Sequence, residues 1–204
     1  MRVIAVGDLH GNFPALWRLL KAEGLADAHL RPTAALRTGE VRLVLLGDLV
    51  HPKTLRDYER LTGLSPYDPE DPTHLRLAAG AQIRELFRLK GFQEEAEGHV
   101  TILLGNHDEA ALKGDPILQP PPPAPGVPPR AGGQAPARGL KRWMASFPRE
   151  LVLEGVHFAT WPRALAPGVR RSLLRSERAQ DLVVPHPRLR GAHGYRFGVY
   201  GHVP

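Results

Sequence analysis

Three short apolar runs in this chain end in residues that can hold a cation. Val3-Ile-Ala-Val6 leads into Gly7-Asp8-Leu9-His10-Gly11, Val41 to Leu46 into Gly47-Asp48, and His99 to Leu104 into Gly105-Asn106-His107-Asp108. The first run is β-branched and bounded by glycine, so it reads as a fully buried strand. Open α/β sheets place their ligands beyond the carboxyl ends of the strands. A carboxylate and an imidazole two residues apart at such an exit can both turn toward one cation, with Gly7 and Gly11 letting the backbone bend tightly. One Gly-Asp is a weak signal. Three in series, each delivering an oxygen or nitrogen ligand after a glycine, form a specific one.

The elements that must position these residues follow from the chain between them. Residues Asn12 to Glu23 read as a helix, capped by Asn12, with Pro14 in its first turn and Phe13, Leu16, Leu19 and Leu20 on its apolar face. Gly24 closes it. Residues 25–40 form a connector. Residues 57–73 are polar and broken by Pro66, Pro69 and Pro72, and are expected to be a loop over or beside the site, or a solvated insertion. Thr73 to Lys90 reads as a helix with Leu75, Leu77, Ile83, Leu86, Phe87 and Leu89 among its apolar positions, ended by Gly91. Between Pro116 and Pro136 lie nine of the 21 prolines, so residues 114–139 are expected to be a flexible insertion favouring polyproline II. Leu151 to Thr160 reads as two strands or one bent at Gly155, with His157 leaving the sheet edge toward the site. Residues 163–190 carry seven arginines against two acids, a solvated helix face or a source of phosphate contacts.

With 204 residues the chain suits one domain with a real core. Cysteine is absent, which excludes a disulfide framework and thiolate metal sites. No secretion signal and no apolar run of membrane-spanning length are visible, so the expected compartment is the cytoplasm, with no membrane partner. The net charge of +6 suits a phosphorylated substrate, or offsets a carboxylate-lined site, as well as it suits nucleic acid; nucleic acid is the lesser expectation. The strand–helix alternation supports an α/β class.

The ordered motifs Gly7-Asp8-Leu9-His10-Gly11, Gly47-Asp48-Leu49-Val50, Gly105-Asn106-His107-Asp108, Val156-His157 and Gly201-His202 resemble those of the calcineurin-like metallophosphoesterases, nearest the phosphoprotein phosphatase and diadenosine tetraphosphate hydrolase branch. Trp143 to Pro148 also resembles that branch. The resemblance implies a four-layer α/β/β/α sandwich with two mixed sheets, spanning residues 1–204. It implies two divalent cations, with Asp48 bridging, Asp8 and His10 completing one site, and Asn106, His157 and His202 the other. It implies that His107 protonates the leaving oxygen, a role that contributes typically about 10²–10⁴-fold. The nitrogen and oxygen donor set suits manganese, iron or zinc; the resemblance favours manganese.

The chain departs from the branch after Asp48, where the branch continues Asp-Arg-Gly. His51 stands in place of the carboxylate that orients the catalytic histidine, and Pro52 in place of the arginine that holds phosphate. Asp108 is the expected substitute for orienting His107. Lys53 and Arg163 are the expected phosphate contacts, Lys53 as a point charge rather than a bidentate fork. The chain also ends two residues after His202, where the family continues, so further C-terminal strands are expected to be missing. The expected activity is hydrolysis of phosphomonoesters, on a phosphoprotein or a small phosphate ester. The alternatives are hydrolysis of bis-nucleoside polyphosphates or phosphodiesters, and a non-catalytic metal- or nucleic-acid-binding module.

Overall fold

The three apolar runs pair with one another in a computed structural model that describes residues 1–113, 138–159, 183–185 and 197–200. Strands β1 (Arg2–Val6), β2 (Val41–Leu45) and β3 (Val100–Ile102) form a parallel sheet in the order β1-β2-β3. Arg2 pairs with Val41 and Leu43 with Val100. Parallel pairing requires crossover connections, and helices supply them. Between β1 and β2 lie α1 (Phe13–Ala22) and the short α2 (Ala34–Arg37), the latter within the expected connector of residues 25–40. Between β2 and β3 lie α3 (Leu55–Thr62) and α4 (Pro72–Glu95). A second, mixed sheet has the order β4-β5-β7-β6, with β4 (Glu150–Leu153), β5 (Val156–Ala159), β6 (Val183–Pro185) and β7 (Phe197–Tyr200). Glu154 and Gly155, at φ 53° and 74°, make the two-residue turn between β4 and β5. Positive φ at both positions gives the twist that a tight hairpin needs, so this stretch is two strands rather than one bent strand.

Strand alternation divides the core in two. Leu43 and Leu45 of β2 face the helices and join Leu16, Leu20, Leu86, Leu89, Phe92, Leu140 and Met144. Val44 and Leu46 face the other way and pack with Leu103, Phe158, Leu151 and Val156 of the second sheet. The described residues therefore form helices, sheet and sheet in three successive layers. Val152, between the inward Leu151 and Leu153, is 55% exposed on the far face of the second sheet. Among the described residues no helix is long and apolar enough to cross a membrane. The proline-rich insertion expected at 114–139 lies largely outside the described residues, as do Arg163 and His202.

Several local expectations are corrected. β1 is not fully buried: two of its five residues are exposed and three half-buried, because only β2 pairs with it among the described strands. In α1, Trp17 takes the buried place expected of Leu19, which is 39% exposed, and gives the spacing Phe13, Leu16, Trp17, Leu20. Asn12 occupies the cap position without a side-chain capping bond. The expected loop at 57–73 begins as helix. Thr54 Oγ1 accepts from Asp57 N, and Asp57 Oδ2 accepts from Thr54 N, a reciprocal capping box that starts α3. Gly63, at φ 77°, ends it.

α4 runs past Gly91 to Glu95. Glycine costs a helix only about 1 kcal/mol, and the turn beyond it is held from outside. Phe92 is buried, while Gln93 donates to Val100 O and accepts from Trp143 Nε1 of α6 (Arg138–Ala145). The buried face of α4 is Ala78, Ala81, Gln82, Leu86, Leu89 and Phe92, while Leu77 and Phe87 face solvent. An added methyl at Gly91 would meet nothing within 4 Å. Gly91→Ala is therefore expected to stabilise the fold by about 0.5–1 kcal/mol, seen as a raised urea midpoint.

The helix α5 (Asn106–Lys113) is tied to the start of β4 by a two-pronged ion pair. Arg149 Nη1 and Nη2 donate to Glu109 Oε2 at 3.0 Å and Oε1 at 2.8 Å, and Lys113 Nζ donates to Oε1 at 2.6 Å. These bonds, Arg149 first, bring the Glu109 carboxyl down to about 2 from its usual 4.5. Because the folded value is the lower one, the stabilisation is present above the unfolded value and is lost as pH falls from about 4.5 toward 2. Arg149 is half exposed, so solvent screening holds the contribution under about 1 kcal/mol. Glu109→Gln should lower the urea midpoint at about pH 6, and the gap from wild type should narrow by about pH 3; a gap that widens would contradict the pairing.

Candidate metal centre

The exits of β1, β2 and β3 are locked together by backbone rather than by side-chain packing. His10 N donates to Asp48 O at 2.7 Å and Gly11 N to Leu49 O at 2.9 Å, extending the β1–β2 pairing beyond the strands. Gly47, at φ 94°, lies so near the third exit that a Cβ there would stand 2.6 Å from Gly105 N and from Leu103 O. Gly105 faces Asp48 just as closely. His10 (φ 42°), Asp48 (φ 48°) and His51 (φ 67°) are non-glycine residues in left-handed backbone. Each such residue costs about 1–3 kcal/mol, and the surrounding bonds must hold it.

Asp48 is the centre of the arrangement and is fully buried. Its Oδ1 accepts from His107 N at 2.8 Å, at the start of α5. His10 Nε2 stands 3.9 Å from Asp48 Oδ2 and 3.8 Å from Asp8 Oδ2. Ligand atoms of His10, Asp48 and His107 all lie within 4.8 Å of one another. The two His10 contacts are too long for hydrogen bonds, yet short enough for one cation, about 2.0–2.2 Å from each ligand, to span. The Asn106 amide lies beside them: with its nitrogen inward it donates to Asp48 Oδ2 at 3.0 Å and to Oδ1 at 3.3 Å. The donors fit a divalent metal of the kind that takes carboxylate, amide and imidazole ligands.

Around this cluster, His107 and His51 meet Nδ1 to Nδ1 at 3.0 Å, and Lys53 Nζ reaches His107 Nε2 at 3.1 Å. Both imidazoles are buried. Asp108, expected to orient His107, has its carboxylate on backbone instead. Oδ1 accepts from Leu49 N at 2.9 Å and Oδ2 from Gly105 N at 3.2 Å, so it joins the second and third exits. Burial, with the charge of Asp48 beside it, pushes the Asp108 carboxyl up to about 7 against the pull of those amides. His157 is buried on β5, with its Nε2 3.1 Å from Glu150 Oε2 on the neighbouring strand. Of the expected ligands, then, Asp8, His10, Asp48 and Asn106 come together. His157 has a recorded partner in its own sheet, and His202 lies outside the described residues, as does the phosphate contact Arg163.

The family model for calcineurin-like phosphoesterases matches residues 1–163. The chain belongs to the calcineurin-like phosphoesterases. No curated protein matches it. Among solved structures it is similar to a cold-active protein-tyrosine phosphatase of a psychrophilic Shewanella species, at 19% identity and a TM-score of 0.47 over 86% of this chain and 48% of that one. It is also similar to a metallophosphoesterase from Sphaerobacter thermophilus, at 16% identity and a TM-score of 0.38 over 78% of this chain and 45% of that one. The phosphoesterase chain thus spans about half the length of the structures it matches.

Two features of the centre were missed in the sequence. Asp108 as a tie between strand exits leaves no local signal, since its partner Leu49 lies 59 residues earlier in the chain. Gln82 accepts from His51 N at 3.2 Å and is 2% exposed. A lone polar residue inside the buried stripe of α4 was the available signal for it.

The close approach of Gly105 to Asp48 is open to test. A Cβ at Gly105 would stand 2.1 Å from Asp48 Oδ1 and 2.2 Å from Asp48 N, so backbone must shift. Gly105→Ala is expected to cost about 3 kcal/mol and to weaken divalent-cation binding, measured by thermal melting with and without manganese. An unchanged melt with unchanged metal response would show that the two exits do not press together.

Proposed function

We propose that this phosphoesterase hydrolyses phosphomonoesters, on a phosphoprotein or a small phosphate ester, at a centre of two divalent metals. The observation that supports this most is His10 Nε2, which stands 3.8 Å from Asp8 Oδ2 and 3.9 Å from Oδ2 of the buried Asp48, too far for hydrogen bonds and near enough for one cation to span. Asp48, Asp8 and His10 would hold one metal, and Asp48, Asn106, His157 and His202 would hold the other. When bound, a metal pair of this kind supplies an activated water and neutralises charge on the phosphate oxygens. Manganese is the preferred pair, with iron or zinc the other candidates.

The chain's own residues do the rest. His107, beside the cluster and buried, protonates the leaving oxygen. Lys53 lies within 3.1 Å of His107 Nε2, so its ammonium is at hand for a phosphate oxygen as a point charge. Arg163 is the proposed second phosphate contact. The substrate is phosphorylated and met in the cytoplasm.

A second reading is hydrolysis of bis-nucleoside polyphosphates or phosphodiesters. It is favoured by Pro52, which fills the place of a phosphate-gripping arginine and packs its Cγ toward Gly11. A site without that fork has less hold on a terminal phosphate dianion.

The test is metal content together with turnover of para-nitrophenyl phosphate and of its bis ester, on wild type and on Asp48→Asn. Asparagine tolerates the left-handed backbone at this position, so the fold should persist. We expect about two metals per chain and manganese-dependent turnover of the monoester, falling by about 100-fold or more in the variant. Turnover of the bis ester alone would favour the second reading. Turnover indifferent to metal and to Asp48→Asn would overturn both.

A further inference from the structure

Helix α4 carries a polar side chain where its packing calls for an apolar one. Gln82 sits on the buried face between Ala78 and Leu86 and is 2% exposed. A buried amide costs stability unless its hydrogen bonds are made. Gln82 Oε1 meets a donor on a distant segment, the His51 N–H, at 3.2 Å. That N–H belongs to a residue in left-handed backbone, at φ 67°. Such backbone persists only where its surroundings hold it.

The residues that follow give this bond its consequence. Pro52 has no N–H and a ring that fixes φ. It is buried against the first strand exit, where a Cβ on Gly11 would stand 2.6 Å from Pro52 Cγ. Lys53 comes next, exposed, with its Nζ 3.1 Å from His107 Nε2. Thr54 N then donates to Asp57 Oδ2 at 3.0 Å in the cap of α3. Lys53 therefore stands between two main-chain anchors, one supplied by α4 and the other by α3. These helices pack on each other through Tyr58 and Ala78, so the two anchors belong to one body.

We propose that Gln82 is a positioning residue for Lys53, its amide oxygen holding the His51 N–H and so setting where the lysine stem leaves the main chain. This rests on the reading of Lys53 as a contact for a phosphate oxygen. Gln82 touches neither substrate nor metal. Without its oxygen, the main chain at His51 relaxes from the left-handed turn, and the Lys53 Cα moves with it. The flexible stem absorbs part of that movement, so the loss falls on the grip on phosphate. A point-charge contact to a non-reacting phosphate oxygen is made in the ground state and the transition state alike, so its weakening raises KM and leaves kcat nearly unchanged.

The experiment uses Gln82→Met, which keeps length and removes the acceptor, and Gln82→Glu, which keeps an oxygen at the same reach. Lys53→Met and the double variant complete a cycle. Two readings are taken. The first, on the folded chain without metal, is the exchange rate of the His51 amide and the backbone ¹H–¹⁵N signal of Lys53. The second is kcat and KM for para-nitrophenyl phosphate at matched metal content. In Gln82→Met we expect the His51 amide to exchange about tenfold faster and the Lys53 signal to move. We expect KM to rise about 3–10-fold there with kcat within about twofold, and Gln82→Glu to restore both readings. In the Lys53→Met background, Gln82→Met should change KM by less than about twofold. If Gln82→Met does not fold, Gln82→Leu takes its place. An equal rise in KM with and without Lys53 would overturn the proposal, as would an unmoved Lys53 signal in the methionine or leucine variant. Should wild type hydrolyse no phosphate ester, the functional reading fails, and the amide reading still decides whether Gln82 positions Lys53.

Discussion

A buried carboxylate needs compensation, and much of this structure follows from how Asp48 receives it. Taking a charge out of water costs several kcal/mol unless partners replace the solvent. Asp48 Oδ1 accepts from His107 N, and the His10 ring and the Asn106 amide stand beside the same carboxylate. The three strand exits can only converge on it because Gly47 and Gly105 let backbone approach backbone at distances no side chain permits. The parallel sheet supplies direction, and the glycines supply proximity.

The cost of this convergence is distributed. Left-handed backbone at His10, Asp48 and His51 is unfavourable, and each is tied down by bonds from elsewhere. His10 N and Asp48 O secure each other, Asp108 secures the segment after Asp48, and Gln82 secures His51. Asp108 illustrates how a charged-looking residue serves architecture. Placed at the start of α5 and fully buried, it accepts amides from two strand exits, and its raised pKa reports the burial and the nearness of Asp48. Strain of this sort is characteristic of functional sites, where geometry is worth more than local comfort.

The segment between β2 and β3 supplies groups beside the cluster: Lys53 Nζ and His51 Nδ1 both meet the His107 ring. Helices α3 and α4 pack around a small aromatic core of Tyr58 and Tyr67, stacked at 4.9 Å, and α4 delivers Gln82 to the His51 backbone. What looked like an insertion beside the site is partly its scaffold.

Much of the framework could be read from residue order, because its causes are local. β-branched runs ending in glycine gave the strands of the first sheet, and Gly-Asp and Gly-Asn-His at their ends gave Asp8, His10, Asp48 and Asn106 as a cluster. The capping box Thr54–Asp57 was equally local and was overlooked. Gly91 misled, since the contacts of Phe92 and Gln93 with distant residues outweighed its small helical cost. What residue order could not give were the partners. Asp108 meets a residue 59 positions away, His51 meets His107 across 56, and Gln82 meets His51 across 31. Each depends on backbone angles that histidine and aspartate rarely adopt and that nothing in their own side chains announces. The sequence by itself determined which ligands stand at the strand ends. The tertiary structure alone decided which nitrogen faces which, because a hydrogen bond is fixed by direction and distance, and both are set only once separate segments have packed.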